Sequence, residues 1–232
     1  MTEKTTKDTK RVEAMFEAGV HYGFSKSRRH PTIKKFVFGT KQNTDIVDLE
    51  KTDAALTEAK QFIASVVAAG KQVLFVGTKP EVRTIVEQAA QKAGMPFVTK
   101  RWVGGVLTNF PEIHKRVENL ETLMEKKEKG TLDASTKKER LMIDREITRM
   151  NEIFSGIISM KKLPGAIFVV DSREERIAVT EAIKVGIPVV SLSGSDCDVS
   201  GIAYPIVGND VTSSSVNFFL DEIVNAVTGD TK

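Results

Sequence analysis

Short, wholly apolar runs that alternate with amphipathic stretches are the feature that most constrains how this chain can fold. Such runs are typical of strands that are buried on both faces of a parallel sheet. The predicted strands are VLFV (73–76), FV (97–98), AIFVV (166–170), PVVSL (188–192) and PIV (205–207). The predicted helices lie at 50–69, 81–93, 174–185 and 211–227. The segment 19–44 is predicted to be mostly loop, with short strands at FVFG (36–39) and DIVDL (45–49) joined by a turn at Lys41–Thr44. The alternation predicts an α/β fold, namely a doubly wound (flavodoxin-like or Rossmann-like) parallel sheet with helices on both faces.

One segment, 111–162, interrupts this alternation because it carries too many charges for a core helix. Its apolar residues recur at spacings of four, three and four, in the two sets Ile113, Val117, Leu120, Met124 and Ile143, Ile147, Met150, Phe154. This spacing is typical of the narrow seam of a coiled coil. Gly130 separates the two sets, and Thr136 with Glu139 has the spacing of a capping box. We therefore predict an inserted antiparallel coiled-coil hairpin; two ordinary helices packed flat on the domain are the alternative.

The predicted domain organisation follows from these patterns. An α/β domain is formed by 12–110 together with 163–228, and the hairpin of 111–162 is inserted into it. Residues 1–11 are polar and of mixed charge, and are predicted to be a disordered tail. The single cysteine, Cys197, excludes an intrachain disulfide. Because the chain cannot rely on disulfides, we expect a cytoplasmic protein in a reducing environment. No apolar run reaches the roughly 18 residues that a membrane helix needs.

The charges are unevenly distributed, although the net charge is only +3. No Asp or Glu occurs from Ala18 to Thr44, whereas six cations do. A polyanion would be attracted to this part of the surface. The candidate phosphate contacts are Lys26, Arg28, Arg29, Lys34, Lys35 and Lys41. A basic loop that serves only solubility is the alternative.

The stretch FVTKRWVGGVLTNFP (97–111) contains the only tryptophan of the chain, Trp102, beside Lys100 and Arg101. An aromatic ring next to cations suits a platform on which a nucleobase stacks. A tryptophan packed into the core is the alternative. The stretch lies between a predicted strand and the first hairpin helix, which favours a structural hinge made of Trp102, Gly104, Gly105, Asn109 and Pro111. Lys100 and Arg101 are then the predicted RNA contacts.

Signatures of catalysis or metal binding are weak. The loop GTKPEV after the strand 73–76 matches neither a P-loop nor GxGxxG. Asp171 follows a strand, but Ser172 and Glu175 have capping-box spacing, which favours a capping role for this loop. Cys197 lies between Asp196 and Asp198, whose charges oppose thiolate formation. The three histidines, His21, His30 and His114, lack metal-ligand spacing. We predict no catalytic residue, metal, cofactor or small-molecule substrate.

Several motifs together resemble the bacterial ribosomal protein S-two family, in the family's order. They are EAGVHYG (17–23), DIVDLEKT (45–52), VLFVGTK (73–79), RWVGGVLTNF (101–110), IFVVDSREE (167–175) and GIPVV (186–190). The sequence departs from the usual family pattern at Phe24, where a histidine is common, at His30, and in SLSGSDCD before and at the cysteine. These departures affect the expected RNA contacts of the N-terminal loop.

The resemblance implies a structural constituent of the small ribosomal subunit that is not an enzyme. It implies binding to small-subunit rRNA and to neighbouring ribosomal proteins near the junction of head and body. In many bacteria it also implies recruitment of ribosomal protein S-one. Two rivals stay open at this point: a nucleotide- or sugar-phosphate-binding enzyme acting at the carboxyl edge of the sheet, near Gly77–Lys79 and Asp171, and a protein-interaction scaffold outside the ribosome.

Overall fold

The computed structural model describes residues 2–130 and 136–229, with side chains from Lys10 onward. The helices are α1 (Thr2–Glu17), α2 (Leu49–Ala68), α3 (Arg83–Ala93), α4 (Phe110–Glu128), α5 (Lys137–Phe154), α6 (Arg176–Val185) and α7 (Ser213–Thr228). The strands are β1 (Tyr22–Ser25), β2 (Val37–Lys41), β3 (Thr44–Val47), β4 (Val73–Val76), β5 (Phe97–Val98), β6 (Ala166–Val170), β7 (Val189–Ser193) and β8 (Tyr204–Val207).

A five-stranded sheet with the order β5-β4-β6-β7-β8 forms the centre of the molecule. All four strand pairs are parallel. The order reverses between β4 and β6, as it does in doubly wound sheets of the flavodoxin type. The prediction of a parallel α/β sheet is therefore confirmed, and the strand bounds differ from the predicted ones by at most one residue.

The sheet has an apolar core on each face. One core joins alternate strand residues such as Phe75 and Phe168 to α2, α3 and α7. The other joins Leu74, Val76 and Ile167 to α4, α5 and α6. Successive side chains of a strand point to opposite faces, so each wholly apolar run supplies both cores. The helices cover both faces, as predicted.

A second, antiparallel sheet with the order β1-β3-β2 precedes the central one. Its β2–β3 hairpin closes through Gln42 and Asn43, both with positive φ, as in a two-residue type I′ turn. The segment before β2 packs on the carboxyl edge of the central sheet, where the His30 amide donates to the Ser195 carbonyl at 2.9 Å. The sequence predicted mostly loop for 19–44, with short strands at 36–39 and 45–49 joined by a turn. The β2–β3 hairpin confirms these two strands with slightly different bounds. Strand β1 was missed, because strands this short carry little pattern.

The segment predicted as a hairpin contains the two helices α4 and α5. The predicted capping box of Thr136 and Glu139 is present at the start of α5. Near the core, the seam residues Ile113, Val117, Leu120, Ile147 and Phe154 are buried and join one sheet core, whereas Met124 is exposed. Lys127 Nζ lies 2.8 Å from Asp144 Oδ1, which links the outer parts of the two helices. Coiled-coil packing stays a prediction, as does the division of the chain at 110 and 163.

The helix α1 begins at Thr2, within the segment 1–11 for which the sequence predicted a disordered tail. Near its end Arg11 donates from Nη2 to Asp53 Oδ2 at 2.7 Å and to Thr57 Oγ1 at 2.9 Å, both on α2. These bonds hold the last turns of α1 against α2. Lysine and glutamate, which are frequent in 2–13, are also good helix formers.

No helix in the described ranges combines the length and the apolar character needed to cross a membrane.

Candidate nucleic-acid interface

The connection from β5 to α4, which we call the hinge (residues 102–111), is built around one buried carboxylate, that of Glu181 on α6. Trp102 Nε1 donates to Glu181 Oε1 at 3.2 Å, and the Gly105 amide donates to the same oxygen at 2.8 Å. The other oxygen, Oε2, accepts from the Leu107 amide at 3.2 Å and from both the amide and the hydroxyl of Thr108. One side chain thus fixes both halves of the hinge.

These bonds determine the protonation of Glu181. Burial alone would raise the pKa of this carboxyl group, but the bonds from Gly105, Thr108 and Trp102 together lower it below its ordinary value. Hydrogen bonds to the charged form favour that form. Glu181 is therefore a carboxylate inside the protein, and its charge is stabilised by polar N–H and O–H donors and not by a cation.

The remaining hinge residues set the start of α4. Gly105 has a φ of +99°, a region that strongly favours glycine. Asn109 occupies the N-cap position without a capping bond from its side chain, and Pro111 lies in the first turn. The Asn109 amide instead donates to the Gly105 carbonyl at 2.8 Å. The backbone of the hinge, more than the Asn109 side chain, starts the helix.

Two cations just before the hinge are exposed, whereas the aromatic ring of the hinge is not. Trp102 is only 8% exposed and belongs to the core shared by α4 and α6, whereas Lys100 and Arg101 are exposed. A base cannot stack on a ring that the protein covers almost completely. This geometry supports the hinge interpretation of Trp102.

The basic segment (residues 26–41) differs from the hinge because most of its charges face outward. Lys26, Arg28, Lys34, Lys35 and Lys41 are all exposed. Arg29 is the exception, since its Nε donates to Asp45 Oδ2 at 2.6 Å and its Nη2 to Thr40 Oγ1 at 2.8 Å. The bond from Arg29 is the main reason why the pKa of Asp45 is lowered. Arg29 therefore neutralises a buried acid and closes the small sheet.

Arg28 is partly engaged as well. Its guanidinium lies 4.7 Å from the centre of the Phe24 ring, and its Nη2 lies 3.4 Å from Asp196 Oδ2. Arg173 approaches the same oxygen more closely, at 2.6 Å. Asp196 is thus shared by two arginines that both remain more than half exposed. Each can make further bonds on its outer side.

Polar and charged side chains fill the carboxyl edge of the central sheet. Lys79, after β4, forms an ion pair with Asp171, after β6, and its Nζ lies 3.4 Å from Asp210 Oδ2. Burial raises the pKa of Asp210 to about 6, against the effect of Lys79. Asp171 Oδ1 also accepts from the Arg173 amide at 2.9 Å, and Glu175 accepts from the Thr78 amide at 2.6 Å. The capping box predicted from Ser172 and Glu175 is therefore wrong: Asp171 caps this turn, and the Ser172 hydroxyl pairs with Ser193.

Three residues of this edge could together ligate a cation. One atom each from Asp171, Cys197 and Asp210 lies within 4.8 Å of the others, and all three residues are buried. Lys79 already supplies a positive charge between the two carboxylates. Burial, followed by the charges of Asp171 and Asp210, raises the pKa of the Cys197 thiol, and a metal ligand must be the thiolate. The chemistry of these donors therefore favours a protonated Cys197 thiol and carboxylates neutralised by Lys79 over a bound metal ion.

Comparisons with known proteins agree with the motifs. The profile of the family described as Ribosomal protein S2 matches residues 15–229. The chain belongs to this family. It is 44% identical to a protein of Sulfurimonas denitrificans named Small ribosomal subunit protein uS2, over 93% of this chain and 83% of the relative. Proteins of the same name from Roseiflexus sp. (strain RS-1) and Francisella philomiragia are each 41% identical over 93% of this chain, and the matches cover 82% and 90% of those relatives.

Members of the ribosomal protein S2 family are structural proteins of the small ribosomal subunit, not enzymes, so the enzyme rival is wrong for this chain. The carboxyl edge agrees with this conclusion. Lys79, the cation that a phosphate ligand would need there, is paired with Asp171, and the His30 amide of the segment before β2 bonds to the Ser195 carbonyl at the same edge.

Sequence reasoning missed two functional side chains, Glu181 and Asp45, although the burial of each acid, as distinct from its partner, was detectable from the pattern. Glu181 lies three residues after the buried Ala178, on the face of α6 that the buried residues share, so it is an acid on an apolar helix face. Asp45 lies two residues before the buried Val47, on the same face of β3. An acid at a position that the periodicity assigns to the core indicates an internal partner. For Asp45 this partner is Arg29.

Proposed function

We propose that this member of the ribosomal protein S2 family binds small-subunit rRNA through the exposed cations of the basic segment and through Lys100 and Arg101. The observation that carries the proposal is that Lys26, Lys34, Lys35 and Lys41 are exposed on a stretch without acids, while the nearest acid of β3, Asp45, is buried and neutralised by Arg29. A surface of this kind attracts the phosphates of a polyanion and releases counterions on binding.

The candidate residues contribute in different ways. The exposed lysines supply non-specific phosphate contacts. Arg28 adds a planar donor group held in place by Asp196 and Phe24. Arg29 acts indirectly, because it removes the negative charge of Asp45 from the surface and fixes the shape of the β2–β3 hairpin.

The helices α4 and α5 supply the contacts with neighbouring ribosomal proteins in this proposal. The outer part of the pair exposes the apolar side chains Met124, Leu141 and Met142 among charged residues. Exposed apolar groups of this size are typical of surfaces that a partner covers. The location near the junction of head and body, a cytoplasmic ribosome, and recruitment of ribosomal protein S-one are further parts of the proposal. They rest on family resemblance.

The test is reassembly with small subunits from which this protein has been removed. Changing Lys26, Lys34 and Lys35 to glutamate is expected to abolish cosedimentation of the full chain with these subunits. Arg29 is left unchanged because its replacement would expose the buried Asp45.

A matched control changes Lys71, Lys92 and Lys184 to glutamate. These lysines are also exposed, but they lie just before β4 and at the ends of α3 and α6, at the opposite edge of the sheet. The net charge changes by the same amount, and we expect near-normal cosedimentation. Equal loss in both variants would show that total charge, and not the basic segment, controls binding.

A further inference from the structure

The most exposed large apolar side chain of the basic segment is Phe38. It is 80% exposed, which is the largest value among the large apolar residues that the structure describes. Phe36 and Val37, immediately before it, pack against the core. The side chain of Phe38 points away from this core. A ring that is open to solvent in this way is available to stack on the flat face of a nucleobase.

A β-bulge produces this exposure. Val37 pairs with Val47 and Gly39 pairs with Ile46, so Phe38 is the extra residue of β2. Bulges of this kind redirect a side chain and are frequent at sheet edges. β2 is indeed an edge strand of the small sheet. The strand therefore holds the ring outward at a free edge.

Space for a flat ligand lies beside the ring. A Cβ added to Gly39 would meet no atom within 4 Å. Its φ is not in the left-handed region, so neither packing nor backbone geometry within the protein requires glycine at this position. A glycine inside a strand without such a requirement often marks a place where a ligand approaches the backbone closely.

The charges around Phe38 suit an anionic partner. Lys34 and Lys35 precede β2, Lys41 ends it, and all three are exposed. Thr40, which lies opposite Asp45 in the ladder, helps Arg29 to bind that acid internally. The surface around Phe38 therefore combines an exposed ring with positive charges and a neutralised acid.

We propose that Phe38 stacks on an unpaired base of small-subunit rRNA while Lys34, Lys35 and Lys41 contact the adjacent phosphates. The inference deepens the proposed function and rests on it. It moves the stacking role from Trp102, which is covered, to a ring that the structure leaves open. A base is favoured over an apolar side chain of a protein because the charged residues that flank Phe38 in the sequence, Lys34, Lys35 and Lys41, are all positive and stacking tolerates any base.

The test measures the affinity of the full chain for small subunits depleted of this protein. Phe38→Leu keeps an apolar side chain but removes the ring face, and we expect binding to weaken about 5- to 150-fold. Phe38→Trp is expected to restore it. The slope of log K against log salt should stay the same in Phe38→Leu, because no phosphate contact is lost. Since Phe38 is 80% exposed, these variants should fold normally.

Phe16→Leu is the control, since Phe16 is 60% exposed but lies outside the acid-free stretch. Undiminished binding by Phe38→Leu, or equal losses in Phe16→Leu and Phe38→Leu, would overturn the inference. A photoreactive phenylalanine at position 38 adds a second readout: crosslinks to rRNA support the inference, and crosslinks to a ribosomal protein overturn it. If the unaltered chain failed to bind, the proposed function itself would fail.

Discussion

The hinge and the basic segment carry the same kinds of residue but use them in opposite directions. Both contain an aromatic residue close to cations, and both lie near a buried acid. In the hinge the aromatic ring points inward, and Trp102 donates to Glu181. In the basic segment the acid Asp45 is satisfied by Arg29, and the ring of Phe38 points outward. The internal partner decides which groups remain available for RNA.

The comparison teaches that the composition of a stretch does not by itself identify a binding surface. A scarce tryptophan beside lysine and arginine is as compatible with a packing role as with base stacking. The decisive information is the position of the buried carboxylate, because it determines which donors the protein consumes internally.

The largest expected effect is that of Trp102→Ala on stability. Removal of a nearly buried indole leaves a cavity and costs about 3 to 5 kcal/mol of unfolding free energy. Urea denaturation measures this loss. Unchanged stability together with weakened rRNA binding would restore the stacking interpretation and break the comparison.

The next effect is that of Glu181→Ala, which leaves the Gly105, Leu107 and Thr108 amides without their acceptor. We expect a loss of about 3 kcal/mol, measured in the same way. Glu58→Ala, at an exposed position of α2, is the control and should stay within about 0.5 kcal/mol of the unaltered protein. Similar losses in both variants would contradict the role assigned to the buried carboxylate.

The pH dependence of the unfolding free energy distinguishes the contribution of Glu181 from that of Asp210, the buried acid at the carboxyl edge of the central sheet. Burial raises the pKa of Asp210 to about 6. Between about pH 4 and 6 the unfolded chain therefore loses this proton while the folded chain keeps it, and stability falls as the pH rises. The expected fall is on the order of 2 kcal/mol.

Asp210→Asn should remove that fall, whereas the Glu181 contribution, whose pKa is lowered, declines only as the pH falls toward and below the ordinary glutamate range. The measurement compares the unfolding free energy of the unaltered protein with that of Asp210→Asn at each pH. If the two curves stay parallel from pH 4 to 6, Asp210 does not titrate as described.

A smaller contrast concerns the two neighbouring arginines. Arg29→Gln should lower the urea midpoint, because Asp45 loses the partner that holds its pKa low. Arg28→Gln should leave the midpoint nearly unchanged, since Arg28 is 55% exposed and shares Asp196 with Arg173. A lowered urea midpoint in Arg28→Gln, or an unchanged midpoint in Arg29→Gln, would reverse the assignment of structural and binding roles.

Much of the fold could be predicted from the sequence, because the wholly apolar runs at 73–76 and 166–170 are typical of strands buried on both faces of a sheet. Gly94 and Gly186 also mark where the helices before the next strands end. The β2–β3 hairpin of the small sheet was predicted as two short strands joined by a turn. Strand β1 was not predicted, since it has only four residues, and neither was the bulge that adds Phe38 to β2. The hinge position was predictable from Gly105 and Pro111. Its partner was not, because Glu181 is distant in sequence and becomes adjacent only when α6 packs on the sheet.

The most direct measurement is the salt dependence of binding to small subunits depleted of this protein, for the Lys34→Gln/Lys35→Gln double variant and for Trp102→Phe. We predict that the double variant loses about one unit of slope in log K against log salt for each lysine, with unfolding free energy within about 0.5 kcal/mol of normal. Trp102→Phe is predicted to keep the full slope and to lose about 1 kcal/mol of stability with its bond to Glu181. An unchanged slope in the double variant, or a reduced slope in Trp102→Phe, would contradict the claim that the basic segment binds rRNA and the hinge serves the fold.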